Sequence, residues 1–174
     1  MDTMKTHGIG YEQYREYLEA FTDALVERLG DSLLAVVLYG SVARGTATET
    51  SDIDLLIIQR GAPSSYYERL EPILKLEQAL KETPLFRALA QRGLSPSVSP
   101  LMLSETEAEE NRFIFLDMVD DSIVLFDREG FFSRRMEKLR QRLEELGARR
   151  IFLPDGSWYW DLKPNLVLGE VFEL

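Results

Sequence analysis

The chain contains no cysteine. Disulfides, thiolate zinc sites and cysteine nucleophiles are therefore excluded. It has a single histidine, His7, close to the start, which excludes histidine-based metal cages. No apolar run approaches the roughly 20 residues needed to cross a bilayer. The segment from Met1 to Gly10 lacks the apolar stretch of a secretory signal. A protein of the cytoplasm with no membrane partner is the expectation. Positive charge is also scarce: 20 basic residues face 30 acidic ones, for a formal charge of -10. A field of that sign disfavours nucleic acid as a partner. It leaves room for a small anion held locally with the help of a cation.

What is present suffices for a core. Hydrophobic residues make up 45% of the 174 positions, and that length fits one domain spanning 1–174. Tyr14, Leu18, Phe21, Leu25 and Leu29 recur at helical spacing and predict a first helix over about 10–30, with Gly30 as its stop. Leu33–Tyr39 is a continuous apolar run, read as a buried strand. Asp52–Gln59 reads as a second. Tyr66–Arg92 reads as an interrupted helical stretch, with Pro72 and Pro84 each placed in a first turn. Leu94–Leu103 carries two prolines, which suit an edge strand or one that stops early. Ser104 and Glu107 form a capping box that opens a helix running to about Asp121. Ser122–Phe126 reads as extended. The C-terminal part, about 127–174, reads as a long helix capped by Asp127, a hairpin around Pro154-Asp155-Gly156, and a tail apolar enough to pack. The fold class is α/β with a mixed sheet.

The chemistry concentrates in Leu38–Ile58, LYGSVARGTATETSDIDLLII. A buried strand runs into Gly40-Ser41, where a missing Cβ permits close approach to another group. Ser41 adds a hydroxyl and an amide at the start of a helical turn, a place suited to phosphate oxygens. Gly45 reads as a positive-φ position ending that turn. Arg44 either binds phosphate or ties the loop to an acid such as Asp52. Asp52 and Asp54 stand two apart, so on a strand both carboxylates project from one face while Ile53 enters the core. Adjacent carboxylates repel unless something positive joins them. A hard cation such as Mg²⁺, shared with substrate phosphates, is the simplest solution.

Gly40-Ser41, Arg44-Gly45 and Ser51-Asp52-Ile53-Asp54 together resemble the signature of the DNA polymerase β-like nucleotidyltransferase superfamily. The closest likeness is to its minimal nucleotidyltransferase branch, often paired with helical HEPN proteins in toxin–antitoxin operons. The resemblance implies a small mixed sheet flanked by helices. It implies that Gly40 and Ser41 contact the triphosphate of a nucleoside triphosphate, and that Asp52 and Asp54 hold Mg²⁺. The implied reaction transfers a nucleoside monophosphate to a hydroxyl on a protein side chain or small molecule. A catalytically weak module that binds nucleotide and neutralises a HEPN-type partner is the alternative.

One departure bears on that choice. Active members usually carry a third carboxylate on a later strand, and Leu94–Leu103 offers Ser95, Ser97 and Ser99 but no acid. Ser97 is the expected occupant of the vacant place, unless Glu105 or Asp117 reaches the site from elsewhere. Trp158 and Trp160 are expected to pack against the last helix, with base stacking as the sharper reading. Lys163 is expected in a surface salt bridge.

Overall fold

A computed structural model describes residues 8–174; His7 lies outside them. The first helix, α1, spans Tyr11–Leu29 and buries Tyr14, Tyr17, Leu18, Phe21 and Leu25. Strand β1 (Leu33–Tyr39) runs directly into the short helix α2 (Gly40–Arg44), and β2 (Ile53–Gln59) returns. Helices α3 (Tyr66–Lys81) and α4 (Pro84–Gln91) lead to β3 (Val98–Ser104). Two short helices, α5 (Glu105–Glu109) and α6 (Ile114–Met118), precede β4 (Ile123–Asp127). The chain closes with α7 (Phe131–Leu146), a hairpin of β5 (Arg149–Phe152) and β6 (Trp158–Asp161), and an irregular tail.

The sheet has the order β3-β2-β1-β4. β1 is antiparallel to both of its neighbours, while β2 and β3 are parallel. The edge position of β3 accommodates Pro100, whose missing N–H would break a central ladder. Both faces of the sheet are covered, which is why β1 and β2 read as unbroken apolar runs. Ile53, Leu55 and Ile57 pack with α1, α3 and α4. Leu56 and Ile58 point the other way, into a core built with Phe115, Met118, Phe132, Met136, Leu139 and Leu143.

This topology gathers four chain ends at one end of the sheet. The last residue of β1 lies beside the first residues of β2, and β3 and β4 start there too. The loop from Gly40 to Asp52 and the segment between α6 and β4 therefore border one small region. The loop is itself held in place. Ile9 and Ala47 exchange backbone hydrogen bonds, and the Ser51 hydroxyl accepts from the Thr48 N–H at 3.0 Å.

Several expectations need correction. Pro72 lies inside α3 instead of in a first turn, because Ser65 caps that helix well upstream by accepting from the Glu68 N–H. The helix opened by Ser104 does not reach Asp121. The capping box is present, but the chain turns extended at Glu110 and restarts as α6. The Arg112 side chain closes the break by donating to the Glu107 carbonyl at 2.8 Å. Asp127 does serve α7, accepting from the Phe132 and Ser133 N–H groups across one intervening 3-10 turn. Leu162 and Leu174 in the tail touch the core, whereas Leu168 and Val171 are exposed.

The capping box has a measurable consequence. Glu107 accepts from the Ser104 N–H and pairs with Arg69, a buried guanidinium on α3. The Ser104 N–H, then the Arg69 side chain, hold its carboxyl down at about 2, against an ordinary 4.5. A carboxylate depressed in the folded state stabilises the fold above its unfolded pKa and loses that contribution as pH falls toward the folded value. Urea midpoints should therefore drop between pH 4.5 and about 2. Glu107→Gln should start lower at neutral pH and show a flatter acid limb.

Candidate active site

Asp54 begins the sheet's central chemistry. It lies opposite Tyr39 on β1 and opposite Ser99 on β3. Paired residues on neighbouring strands share a face, so Tyr39, Asp54 and Ser99 form a row across three strands. Ile53 is fully buried on the opposite face. Asp52 stands just before β2, exposed, and close enough for its charge to act on Asp54.

Burial lifts the Asp54 carboxyl above its ordinary range, and the Asp52 charge lifts it further. Ser99 and Arg44 pull it back down. The Tyr39 phenol is pushed up to about 12, first by burial and then by Asp54, Tyr66 and Asp117. Asp117, on α6, is also raised by burial, while Arg44 and Arg150 oppose the rise. Arg44 thus sits in the electrostatic reach of both Asp54 and Asp117.

Gly40 lies with its backbone against the Asp54 carboxylate. Its φ is +73°, and a Cβ built there would lie 2.2 Å from Asp54 Oδ2. The residue is glycine for two physical reasons: the left-handed backbone and the space its absent side chain leaves for a carboxylate. Ser41 follows within α2, and its carbonyl accepts from the Thr46 N–H at 2.9 Å. Gly45 ends α2 with φ +69°, as its place in the sequence indicated.

The β3 neighbour of Asp54 is a serine. Ser99, not Ser97, is paired with Asp54; Ser97 precedes β3 and its carbonyl accepts from the Ile53 N–H at 2.8 Å. Glu105 does not reach the site. It follows the other end of β3 and pairs with Arg60 at 3.3 Å. Among the described residues, no group of three or more acids or histidines gathers around a metal position. The protein's own donors at this place are two carboxylates, neither ion-paired with a described residue. That set fits a hard divalent cation whose remaining ligands are phosphate oxygens and water.

Tyr39 escapes the sequence reading, and Ser99 is one of three serines from which that reading chooses Ser97. The period of two from Asp54 could not find them, because strand register is a nonlocal property. Lys163 pairs with Glu170, as expected of a surface lysine. Trp160 packs, its Nε1–H donating to the Leu116 carbonyl at 3.1 Å. Trp158 lies instead beside a cleft that reaches Arg44. No helix of the described residues is long and apolar enough to cross a membrane.

The chain is similar to several known proteins. A Methanocaldococcus jannaschii protein, named as a candidate protein adenylyltransferase, is 24% identical over 131 residues, covering 74% of this chain and 82% of that one. A solved toxin–antitoxin structure with AMP-PNP is 18% identical, covers 74% of this chain and 92% of that chain, and has a TM-score of 0.47. A candidate nucleotidyltransferase from Sulfolobus solfataricus is 22% identical, covers 72% and 94%, and scores 0.41. The AMPylated Shewanella oneidensis HEPN toxin in complex with an MNT antitoxin gives 16% identity, 76% and 92% coverage, and 0.44. Residues 18–88 match the family model for the nucleotidyltransferase domain, a span that holds Gly40, Ser41, Arg44, Asp52 and Asp54. The Gly-Ser turn and the paired aspartates thus fall inside the stretch, residues 18–88, over which this chain is similar to the nucleotidyltransferase domain.

Proposed function

We propose that the protein binds a nucleoside triphosphate with Mg²⁺ and transfers its nucleoside monophosphate to a hydroxyl acceptor. The observation that carries this reading is the meeting of Gly40 with the Asp54 carboxylate, beside Asp52, at the end of β1 and β2. In this reading the Ser41 hydroxyl and the backbone of the Gly40-Ser41 turn hold phosphate oxygens. Arg44 offsets the charge that accumulates on the transferring group. Asp52 and Asp54 would hold Mg²⁺, which when bound neutralises phosphate charge and polarises the α-phosphorus. The acceptor hydroxyl oxygen attacks that phosphorus and gives up its proton to solvent, the bond between the phosphorus and the bridging oxygen breaks, and pyrophosphate leaves. The chain's contribution is positioning and charge, not a covalent intermediate.

A protein side chain is the favoured acceptor class. The Methanocaldococcus jannaschii relative, named for adenylylation of proteins, supports it. The partner that the sequence resemblance implies is a HEPN-type helical protein. Ser99 in the row with Asp54 favours a second reading, a module that binds nucleotide and regulates such a partner with little transfer.

ATP labelled at the α-phosphate, supplied with Mg²⁺ and a HEPN-type helical protein, separates the two. Label joined to that protein with matching pyrophosphate release establishes transfer. Saturable ATP binding without label transfer establishes the regulatory reading. Neither binding nor transfer would remove both.

A further inference from the structure

The β5–β6 hairpin lies outside the span that matches the nucleotidyltransferase domain, yet it shares a cleft with Arg44 at the end of α2. We propose that this hairpin supplies the nucleobase pocket, with the base lying against Trp158 and Phe152. The inference rests on the nucleotide reading above and adds to it the place of the base.

Pairing of Arg150 with Trp160 and of Phe152 with Trp158 sets all four side chains on one face of the hairpin. The inner half of that face docks the hairpin. Trp160 donates to the Leu116 carbonyl, and Arg150 pairs with Asp121 and, at 3.9 Å, with Asp120. The Arg150 guanidinium also lies 3.8 Å from the Trp158 ring centroid and 5.2 Å from that of Phe152. Both aromatic rings are thereby held by a cation that is itself pinned to the body of the protein. The outer half of the face meets no such demand. Phe152 is 67% exposed, although a large aromatic side chain stabilises the fold most when covered.

Between this half-face and the α2–β2 loop lies a cleft of about 660 Å³. That size falls within the roughly 300–1,000 Å³ of small-ligand sites. Its walls combine Trp158 and Phe152 with the polar groups of Arg44, Thr46, Asp121 and Arg150. Aromatic faces that can stack, with donors and acceptors around the rim, suit a planar heterocycle. Arg44 links the cleft to the phosphate end. Arg44 closes the helix that Gly40 opens, and four residues of helix advance about 6 Å. A ribose can bridge that interval.

The test compares ATP with inorganic triphosphate, each with Mg²⁺, on the full chain. Triphosphate engages the turn and the acids but offers no base. Trp158→Ala should weaken ATP about tenfold or more, the usual cost of losing one stacking partner, and leave triphosphate affinity unchanged. Trp158→Phe should recover most of the ATP affinity, which separates stacking from loss of fold. ATP, but not triphosphate, should quench the tryptophan fluorescence of the unmutated protein. Equal losses for both ligands in Trp158→Ala, or no loss for either, would overturn the hairpin pocket and leave the nucleotide reading standing. A higher acceptor KM with unchanged ATP affinity would overturn it too, assigning the cleft to the acceptor. Failure of the unmutated protein to bind either ligand would remove the nucleotide reading and this inference together.

Discussion

Replacing Asp52 and Asp54 together by asparagine will erase the response of the protein to ATP and Mg²⁺. A ligand that binds only the folded chain raises its stability by about 2.7 kcal/mol at a hundredfold excess over Kd. For a chain of this size that corresponds to a melting shift of roughly 5–10 °C. The unmutated protein should show such a shift, and the double variant none. Nucleotidyl transfer, where the acceptor is supplied, should fall by about a hundredfold or more. The same substitutions should act in the opposite direction on the ligand-free protein. Asp54 is held above its ordinary pKa by burial and by the Asp52 charge. A carboxylate raised in the folded state destabilises the fold once pH exceeds its folded pKa, and the cost disappears below its unfolded value. Asp54→Asn alone should therefore raise the melting temperature at pH 7 without nucleotide, with the gain fading below about pH 4. A variant that keeps the full nucleotide response would place the site elsewhere.

That opposition of signs is what a binding site looks like when its ligand carries the missing charge. A half-buried acid and a left-handed glycine sit together where an apolar side chain would serve stability better, with a second, exposed acid beside them. The local rules broken here are the ones the sequence displays most openly. Asp-Ile-Asp opens an otherwise apolar strand, and Gly-Ser ends another. Both departures were legible because each contrasts with its own neighbours. The strands themselves were legible because burial on both faces removes the polar half of the usual alternation.

What stayed hidden depends on register and on tertiary cover. Ser99 is the residue beside Asp54 only because β3 starts at Val98 and pairs in parallel with Ile53 onward. The composition of the segment offers three serines at the same parity, and nothing local distinguishes them. Tyr39 reads as the last residue of an apolar run, yet it faces two acids across the sheet end. The break between α5 and α6 is similar. A capping box and acidic first turn announce a helix start, but its end is set by Arg112 folding back on Glu107. The tail shows the converse error: apolar content such as Leu168 and Val171 does not by itself find a surface to cover.

The sharpest separation of fold from site comes from two glycines in the same loop. Gly40 and Gly45 both adopt positive φ, at +73° and +69°. Alanine at either position meets the same backbone penalty, about 1–2 kcal/mol. Their surroundings differ. A Cβ at Gly45 meets nothing within 4 Å, while one at Gly40 lies 2.2 Å from Asp54 Oδ2 and 3.1 Å from Asp54 Cγ. Asp54 is fixed at its Cα by β2, so its carboxylate must rotate away from the turn. Gly45→Ala should thus lower stability and leave the melting shift with ATP and Mg²⁺ intact. Gly40→Ala should lower stability by a comparable or larger amount and abolish the shift. The additional Asp54→Asn substitution should not restore nucleotide response to Gly40→Ala, because the lost element is the carboxylate in its place. Equal nucleotide shifts in Gly40→Ala and Gly45→Ala would show that the contact between turn and acid is structural alone.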